Sequence, residues 1–305
     1  MVSTGRVARA LGVYALLLTM TPGCTIQQLT EPTREQILRG ILPSSVQIVL
    51  ELGGQRFRTG SGVVIAARPV SQGGECFVLT SGHTFTRLSG LEAIYVLLDR
   101  HRGEGRKAPA AVLAQRENDE IDLALLSVRT DRCFTARFGM PPALGDPIWI
   151  VSFPWGRNMM VVSGIVSQLN VEEPGDTETA SRLMVDASVS YGGSGGGVYE
   201  AGTGRLMGLV EGYRTARVSL KGDAESRYID VPVPGETFVT PLALIRQFLT
   251  EAGYADLLGD ERSGGETREV DAIHRVAPPL FRRPSGASRS GVSDPTHRVA
   301  RRRAG

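Results

Sequence analysis

One serine lies within a run of glycines in the segment Asp186-Ala-Ser-Val-Ser-Tyr-Gly192-Gly193-Ser194-Gly195-Gly196-Gly197-Val-Tyr199. Because glycine lacks a Cβ atom, such a run allows backbone N–H groups to approach a ligand closely. A single hydroxyl among convergent amides suits a nucleophile beside a site that receives an oxyanion. The same composition also fits a flexible glycine–serine linker, so the rest of the sequence must distinguish the two interpretations.

Length and composition leave most functions open. The 305 residues can form one large domain or two small ones, and a net charge of +2 does not indicate a nucleic-acid partner. With three cysteines, neither a disulfide scaffold nor a cysteine-based zinc site is indicated, and we predict no metal and no cofactor. Cys76 and Cys133 either pair in an oxidising compartment or lie buried and unpaired, because sequence does not set their distance.

The N-terminus has the features of an export signal. Arg6 and Arg9 precede an eleven-residue apolar run at positions 10–20, which has the length of a signal-peptide core and is too short to span a bilayer. Cys24 follows closely and resembles the lipidated cysteine of the bacterial lipoprotein lipobox. We therefore predict a signal peptide at residues 1–24 and export to the periplasm or cell envelope. Cys24 is either a lipid attachment site that anchors the protein to a membrane or an incidental residue of a cleaved signal.

Short apolar segments rich in β-branched residues follow Pro43 and are separated by Gly, Ser and Pro. They lie at residues 46–52, 62–66, 77–80, 93–98, 121–126, 147–152, 160–167, 183–185 and 206–210. Many short strands without intervening amphipathic helices indicate an all-β sandwich or barrel. Before them, Thr33 with Gln36 three residues on forms a capping-box pattern, which predicts a short helix in a linker at residues 25–42.

The C-terminal part of the chain contains one helical pattern and then loses all periodicity. A helix is predicted with Thr240 as its cap, Pro241 in its first turn and Gly253 at its end. Residues 259–305 are rich in arginine, proline, glycine and serine. Such a segment buries too little apolar surface to order itself, so we predict a disordered tail there and no second folded domain.

Three polar side chains form a catalytic pattern. His83 follows an apolar strand, Asp122 opens another strand, and Ser194 lies among the glycines. A serine hydroxyl needs a base to take its proton, an imidazole can act as that base, and a carboxylate holds the ring in the required tautomer. Asp119 competes with Asp122 for the last role but lies in a polar, turn-like cluster. His101 lies in a polar loop, so we assign the base to His83.

The order of these residues excludes two other folds. Residues 192–196 fit G-x-S-x-G, the nucleophile elbow of α/β-hydrolases, but that fold needs its acid and histidine after the serine. The histidines downstream of Ser194 are His274 and His297, which lie in the predicted tail. A P-loop is excluded because no Gly-Lys-Ser/Thr sequence follows the glycines. The order His, Asp, Ser on a strand-rich chain belongs to the chymotrypsin arrangement.

The sequence resembles HtrA/Deg-type trypsin-like serine proteases over roughly residues 43–253, through six matches in the family's order. The matches are Gly60-Ser-Gly-Val-Val-Ile65, Phe77-Val-Leu-Thr-Ser-Gly-His83, Glu120-Ile-Asp122-Leu-Ala-Leu-Leu126, Leu144-Gly-Asp146 with Phe153-Pro-Trp-Gly156, Val162-Ser-Gly-Ile-Val166, and Asp186-Ala with Gly192-Gly-Ser194-Gly-Gly196. The resemblance implies two six-stranded antiparallel barrels of the chymotrypsin fold with a C-terminal helix. We place this protease domain at residues 43–258 and expect no PDZ domain after it.

The resemblance also implies catalytic roles for the matching residues. Ser194 is the nucleophile, His83 the general acid/base and Asp122 the orienting carboxylate. The backbone N–H groups of Gly192 and Ser194 form the oxyanion hole. Losing a single oxyanion donor costs about 10²–10³ in turnover, so the glycine run belongs to the site as much as the serine does.

Substrate contacts are implied at two further places. An edge strand that contains Leu209, Val210, Glu211 and Gly212 pairs with an extended substrate backbone. Ser188 lies six residues before the nucleophile, where trypsin-like enzymes have the base of the specificity pocket. An uncharged residue there argues against a strict preference for Arg or Lys before the scissile bond. The charge of Glu211 could restore that preference.

The serine loop departs from the family pattern at three positions. Gly193 takes the place of an asparagine or aspartate, Tyr191 that of a proline, and Gly197 that of the final proline. Without a side chain at residue 193, activation through an ion pair with a new N-terminus should not operate. The extra glycine also raises the entropy cost of ordering the loop. Tyr191 in place of a proline loosens the same loop further, and the changes at residues 191 and 193 lead to the hypothesis that substrate or partner binding orders the site.

Three functions fit the sequence. The first is an exported serine endopeptidase that hydrolyses peptide bonds of polypeptide substrates through an acyl-enzyme, and the intact triad favours it. The alternative is a catalytically silent, protease-like binding module of the cell envelope. The third is a structural envelope lipoprotein whose basic tail is the working part.

Overall fold

The computed structural model describes residues 31–70, 73–86, 93–118, 120–171, 182–220 and 227–259. The chain divides into two units at Gly259, and all described residues lie in the first. Several predictions therefore fall outside the described residues: the signal peptide with Cys24, the competing carboxylate Asp119, and the tail beyond Gly259.

The described residues form two closed antiparallel β-barrels of six strands each, which confirms the predicted fold class. The first barrel consists of β1 (Ser45–Leu52), β2 (Gln55–Pro69), β3 (Gly74–Thr80), β4 (Ala93–Leu98), β5 (Arg106–Glu117) and β6 (Asp122–Thr130). Its strand order is β1-β2-β3-β6-β5-β4. The second barrel consists of β7 (Pro147–Ser152), β8 (Met160–Val171), β9 (Arg182–Asp186), β10 (Gly197–Glu200), β11 (Leu206–Leu220) and β12 (Arg227–Pro241). Its strand order is β10-β11-β12-β9-β8-β7.

Each barrel has its own apolar core, and a third cluster joins them. Alternate side chains of β1 are buried in the first core, and Ile148 and Ile150 of β7 are buried in the second, as expected for strands with one face inward. The joining cluster draws on both barrels and the C-terminal helix, and it includes Leu79, Leu125, Leu209, Ile245 and Phe248. Burying one such side chain stabilises the fold by about 1.5–3 kcal/mol. The cluster therefore keeps the two barrels in a fixed relation.

The N-terminal helix is confirmed as the sequence predicts it. The helix α1 (Arg34–Ile41) is capped by Thr33, whose hydroxyl accepts from the Gln36 N–H at 3.3 Å. The Gln36 side chain accepts in turn from the Thr33 N–H at 2.7 Å, which completes the capping box. No helix in the described ranges is long and apolar enough to cross a membrane.

The C-terminal helix α2 (Leu242–Glu251) begins later than the sequence predicts. Thr240 and Pro241 are the last residues of β12, so the predicted cap at Thr240 is wrong, and its hydroxyl donates to Glu211 at 3.3 Å instead. Sheet pairing with β11 holds both residues in the strand and outweighs their capping tendency. The predicted end is confirmed, because Gly253 has a φ of +84° and the hydrogen bonds of a Schellman motif close the helix.

Three strands lack the pattern on which the sequence analysis relied. β5 is largely exposed and has no regular apolar alternation, and β10 is four residues long and begins in the glycine run. β12 contains Pro232, Pro234 and Pro241. Proline cannot donate to a sheet ladder and normally argues against a strand. Pairing with β11 and β9 determines the structure of this segment instead.

Cys76 and Cys133 form a disulfide that connects β3 to the segment after β6. Of the two alternatives that the sequence left open, the structure therefore has the paired one. Cys76 is buried in the core of the first barrel, and Cys133 packs against the same core. The bond closes a loop with a sequence separation of 57 residues.

Candidate active site

The pairing of β3 with β6 brings His83 and Asp122 together. In this antiparallel pair Thr80 lies opposite Ala124, so the residues that follow β3 lie beside the start of β6. His83 lies in a short 3-10 turn at Gly82–Phe85, and Asp122 is the first residue of β6. One carboxylate oxygen of Asp122 accepts from the His83 N–H at 2.7 Å, and the other lies 2.6 Å from the ring Nδ1. A single carboxylate thus fixes both the position and the orientation of the imidazole.

The surroundings of His83 also change its acidity. Burial alone would lower the pKa of the imidazole, but the hydrogen bond and charge of Asp122, helped by the charges of Glu117 and Glu211, outweigh burial and hold the pKa above 6.5. Asp122 is 9% exposed, whereas the His83 side chain is partly open to solvent. The pair therefore suits a general base that is oriented on one side and accessible on the other.

A side chain that the sequence analysis missed holds the His83 turn. The Arg58 guanidinium on β2 donates through Nη1 to the carbonyls of His83, Thr84 and Thr86 at 3.2, 3.1 and 3.0 Å. The His83 carbonyl also accepts from the Thr86 N–H at 3.3 Å within the turn, whereas the carbonyls of Thr84 and Thr86 lie at its end, where intrahelical partners are lacking. Arg58 is 25 residues before His83 in a polar part of β2, and no local pattern signals this contact.

The glycine run folds as two consecutive turns of type II. In residues 190–193, and again in residues 193–196, the last N–H donates to the first carbonyl, at 2.8 and 2.9 Å respectively. The third residue of each turn, Gly192 or Gly195, has a φ of +84° or +80°, which a type II turn requires and glycine adopts without strain. Ser194 is the second residue of the second turn. The run is therefore a structured loop, and the linker interpretation is wrong.

Carbonyls of this loop accept from donors outside it, and two of its amides have no acceptor among the described residues. The Tyr191 carbonyl accepts from the Trp155 N–H at 2.6 Å. The carbonyls of Gly192 and Ser194 both accept from Ser61, from its hydroxyl at 2.7 Å and its N–H at 2.9 Å respectively. Within the described residues, the N–H groups of Gly192 and Ser194 donate to no acceptor. These are the two amides that the family resemblance assigns to the oxyanion hole, and both are available to an incoming oxygen.

The segments of Ser194 and His83 meet where the two barrels pack. Gly60 on β2 lies between them, since a Cβ atom there would be 3.3 Å from the Thr84 hydroxyl and 3.7 Å from the Ser194 carbonyl oxygen. Ser194 and His83 are both partly exposed. The Ser194 hydroxyl makes no hydrogen bond to the described residues, and in enzymes without substrate such catalytic bonds are often long or poorly aligned.

Part of the predicted substrate-pairing strand is already engaged within the chain. Leu209 pairs with β10 on one side and β12 on the other. The Val210 N–H donates to Gly196, and its carbonyl accepts from Gly195. Beyond Val210, β11 pairs with β12 alone in the described part of the chain, and a Cβ atom at Gly212 would meet nothing within 4 Å. The open edge is therefore residues 211–213. Leu209 and Val210 lie next to it, and their backbone groups are already paired within the chain.

A small cavity next to this edge contains Ser188 in its wall. Its volume is about 110 Å³, and its wall consists of apolar and hydroxyl side chains without a charge: Ser188, Val189, Tyr213, Pro232, Val233, Pro234 and Thr237. Elsewhere in the described residues, no three His, Cys, Asp or Glu side chains are grouped to hold a metal ion. The neutral wall suits an uncharged side chain, in line with the prediction made from Ser188.

Glu211 does not line this cavity and is occupied by other partners. Its carboxylate oxygens lie 2.9 and 3.1 Å from Nε of Arg182, and the Thr240 hydroxyl donates to it at 3.3 Å. Burial raises the pKa of the Glu211 carboxyl, the charge of Arg182 opposes this rise, and the charge of Asp122 adds to it. Glu211 therefore brings no negative charge into the wall of this cavity, and the structure gives no geometric basis for the Arg/Lys preference considered for it.

Three aromatic rings lie in a row beside the serine loop. The rings of Trp155 and Tyr191 are 5.1 Å apart, and those of Tyr191 and Tyr213 are 5.8 Å apart in an edge-to-face arrangement. Trp155 has a φ of +57°, a conformation that non-glycine residues adopt at a cost. Burial and the neighbouring Tyr191 raise the pKa of Tyr213 to about 12. Tyr191 thus connects the serine loop to both neighbours, whereas the sequence predicted that it loosens the loop.

The sequence and the fold are both similar to those of known proteins. A family model described as trypsin-like peptidase domain matches residues 60–209. A probable periplasmic serine protease do/HhoA-like of Haemophilus influenzae is 31% identical over 166 residues, which are 53% of this chain and 32% of that protein. The chain thus spans about a third of the length of that relative.

Solved structures share the fold. The serine endoprotease from Yersinia pestis has a TM-score of 0.52 at 22% identity, covering 72% of this chain and 66% of that one. The HtrA-type protease AlgW, solved with a tripeptide, has a TM-score of 0.53 at 21% identity, covering 73% of this chain and 65% of that one. Residues 60–209 thus match the trypsin-like peptidase domain family model, and the chain is similar in sequence to a do/HhoA-like serine protease and in fold to HtrA-type proteases.

Proposed function

We propose that this protein is a serine endopeptidase that cleaves polypeptides through an acyl-enzyme on Ser194. The observation that carries the proposal is the oriented pair of His83 and Asp122 beside a structured serine loop with two free amides. Each requirement of the reaction has one occupant: a nucleophile, a base, an orienting carboxylate and donors for the oxyanion.

The proposed reaction uses His83 as base and then as acid. The Ser194 oxygen attacks the carbonyl carbon of the scissile bond while its proton passes to Nε2 of His83. The carbonyl oxygen becomes an oxyanion and accepts from the amides of Gly192 and Ser194. His83 then donates the proton to the departing amine as the C–N bond breaks. Water, deprotonated by His83, hydrolyses the resulting ester and restores the serine hydroxyl.

The substrate is proposed to bind as an extended strand. Residues 211–213 offer an edge without a neighbouring strand among the described residues, and a peptide there would add to the sheet by β-augmentation. The side chain that precedes the scissile bond would enter the neutral cavity at Ser188. The absence of a charged side chain from its wall favours an apolar side chain over a basic one.

Export to the periplasm or cell envelope is part of the proposal. The disulfide of Cys76 with Cys133 supports it, because such bonds persist in oxidising compartments. The curated relative described as periplasmic supports it as well. For Cys24 we propose lipidation, and the mass of the mature N-terminus from cells tests it. An unmodified or removed Cys24 would contradict the anchor.

A fluorophosphonate probe tests the enzymatic proposal on the full chain. We expect covalent labelling of the wild type, no labelling of Ser194→Ala, and strongly reduced labelling of His83→Ala. Thermal unfolding of each variant shows whether it is folded. A folded wild type that resists the probe would instead support the silent binding module.

A further inference from the structure

Ser61 on β2 makes two hydrogen bonds to the serine loop. It is fully buried, with 0% exposure. Its N–H donates to the Ser194 carbonyl at 2.9 Å, and its carbonyl accepts from the Thr80 hydroxyl at 2.7 Å. Its own hydroxyl donates to the Gly192 carbonyl at 2.7 Å and accepts from the Phe153 N–H at 2.8 Å. All its polar groups are therefore used where the two barrels meet.

The direction of the Ser61 hydroxyl proton follows from these partners. A hydroxyl has one proton, and a backbone N–H is a donor only. Because the Phe153 N–H points its proton at the Ser61 oxygen, the Ser61 proton must go to the Gly192 carbonyl. The hydroxyl thus pulls this carbonyl away from the free amides of Gly192 and Ser194.

One further contact connects the same parts of the chain. Phe153 lies two residues before Trp155, whose N–H holds the Tyr191 carbonyl at 2.6 Å. The peptide groups on both sides of Gly192 are therefore fixed from outside the loop, one by Ser61 and one by Trp155. Gly192, between these two peptide groups, has the φ of +84° that the third residue of a type II turn requires.

The serine loop has no side chain of its own for this task. Gly193 lies where the related proteases carry an asparagine or aspartate, and a Cβ atom there would be 2.8 Å from the Ser190 carbonyl oxygen. That distance is too short without a shift of the backbone. An orienting group must therefore come from another part of the chain.

We propose that Ser61 is the positioning residue that keeps the oxyanion site formed, acting through the Gly192 carbonyl in place of a side chain at residue 193. The inference rests on the proposed function, because the proposed reaction gives the free amides of Gly192 and Ser194 their role as oxyanion donors. It replaces the hypothesis that substrate binding must order the loop. Removing the hydroxyl leaves a buried carbonyl and a buried N–H unpaired, which favours rotation of the Gly192 peptide groups.

The test compares two buried serines in the full chain. Ser61→Ala removes the positioning hydroxyl. Ser152→Ala is the matched control, because Ser152 is also fully buried, precedes Phe153, and has a hydroxyl without a hydrogen-bond partner in the described residues. If Ser61→Ala does not fold, Ser61→Cys serves instead, since its thiol fills the space of the hydroxyl and is only a weak donor.

Three measurements separate positioning from a structural effect. For Ser61→Ala we expect kcat to fall about 10- to 100-fold with KM within about twofold, because the lost contact acts on the oxyanion. Affinity for a peptide aldehyde, whose adduct carries an oxyanion, should fall by the same factor as kcat. Hydrogen exchange of the peptide covering residues 187–199 should become faster. Ser152→Ala should match the wild type in all three.

The outcomes distinguish this inference from the proposed function. A Ser61→Ala enzyme with wild-type kcat and aldehyde affinity would overturn the positioning role while leaving the endopeptidase intact. If the folded wild type takes no fluorophosphonate label, the proposed function fails, and the role at the oxyanion site fails with it. Unchanged hydrogen exchange at residues 187–199 in the Ser61→Ala protein would overturn the inference, whether or not the protein is an endopeptidase.

Discussion

The imidazole of His83 is held from two sides. Asp122 bonds both its backbone N–H and its Nδ1, and Arg58 bonds the carbonyls of the same turn. Burial acts against protonation of the ring, yet the charge and hydrogen bond of Asp122 outweigh it. At the residue scale, one carboxylate thus sets both the geometry and the proton affinity of the base.

Replacing Asp122 by asparagine should nearly abolish turnover without unfolding the protein. The Asn carbonyl can still accept from the His83 N–H, which leaves the amide NH₂ facing Nδ1. Nδ1 would then have to accept, so the ring proton would sit on Nε2 and block proton transfer from Ser194. We expect kcat to fall by about four orders of magnitude. A variant that retains wild-type turnover would contradict the assigned role of Asp122.

The pH dependence of kcat/KM should follow His83. The ring accepts the serine proton when it is neutral, so activity should rise with pH through a pKa above 6.5. Glu117→Gln removes a negative charge that raises this pKa. The rise of kcat/KM on the acidic side of the pH profile should therefore move to lower pH. Glu104→Gln, an exposed charge that does not act on His83, is the control. If the acidic side of the kcat/KM profile moves to higher pH in Glu117→Gln, the assigned role of His83 is contradicted.

Two strands do most of the positioning at the scale of elements. β2 carries Arg58 to the His83 turn and Ser61 to the serine loop, and its Arg56 donates to the Gly156 carbonyl at 2.9 Å. β11 binds the serine loop through Val210 and then leaves an open edge at residues 211–213. A strand of the first barrel therefore orders the His83 turn and the serine loop, and a strand of the second has the open edge at which we propose that substrate binds.

Tyr213 should set the upper size limit of the cavity at Ser188, because its ring forms part of the wall. Tyr213→Ala enlarges the cavity, and we expect kcat/KM to shift by about tenfold toward peptides with a larger apolar residue before the scissile bond. Tyr213→Phe keeps the ring and should leave the preference unchanged. A cleavage profile over a peptide library measures both variants. Identical profiles for Tyr213→Ala and the wild type would show that this cavity does not receive that side chain.

The whole molecule depends on the packing of one barrel against the other. The cluster that joins them contains residues of both barrels and of α2, and the candidate site lies along the same boundary. Within the first barrel, the disulfide of Cys76 and Cys133 adds a covalent connection between β3 and the segment after β6. Stability of the fold and geometry of the site are thus coupled.

Cys133→Ser should destabilise the protein by about 4 kcal/mol, the loop-closure contribution of a bond with a sequence separation of 57 residues. Denaturant unfolding of the full chain measures this change. Dithiothreitol should destabilise the wild type to a similar extent and leave the variant unaffected. Equal stability of the oxidised wild type and the variant would contradict a stabilising disulfide.

The fold could be predicted because motifs around His83, Asp122 and Ser194 occur in a family-specific order. Ser61 lies within one of those motifs, but its role depends on contact with Gly192, 131 residues away, which no local pattern encodes. No local pattern encodes the contacts of Arg58 with the His83 turn either. β12 was missed because its prolines oppose a strand and long-range pairing decides its structure. The proposed reacting groups could be chosen from sequence, whereas the groups that hold them could be found only in the packed barrels.

The most direct test of the account is the covalent intermediate itself. The full chain is mixed with an activated peptide ester, quenched within one turnover, digested and analysed by mass spectrometry. We predict an acyl group on the hydroxyl of Ser194, absent from the Ser194→Ala protein, which should also lose peptide cleavage. An acyl group on another residue, or cleavage that persists in Ser194→Ala, would contradict the account.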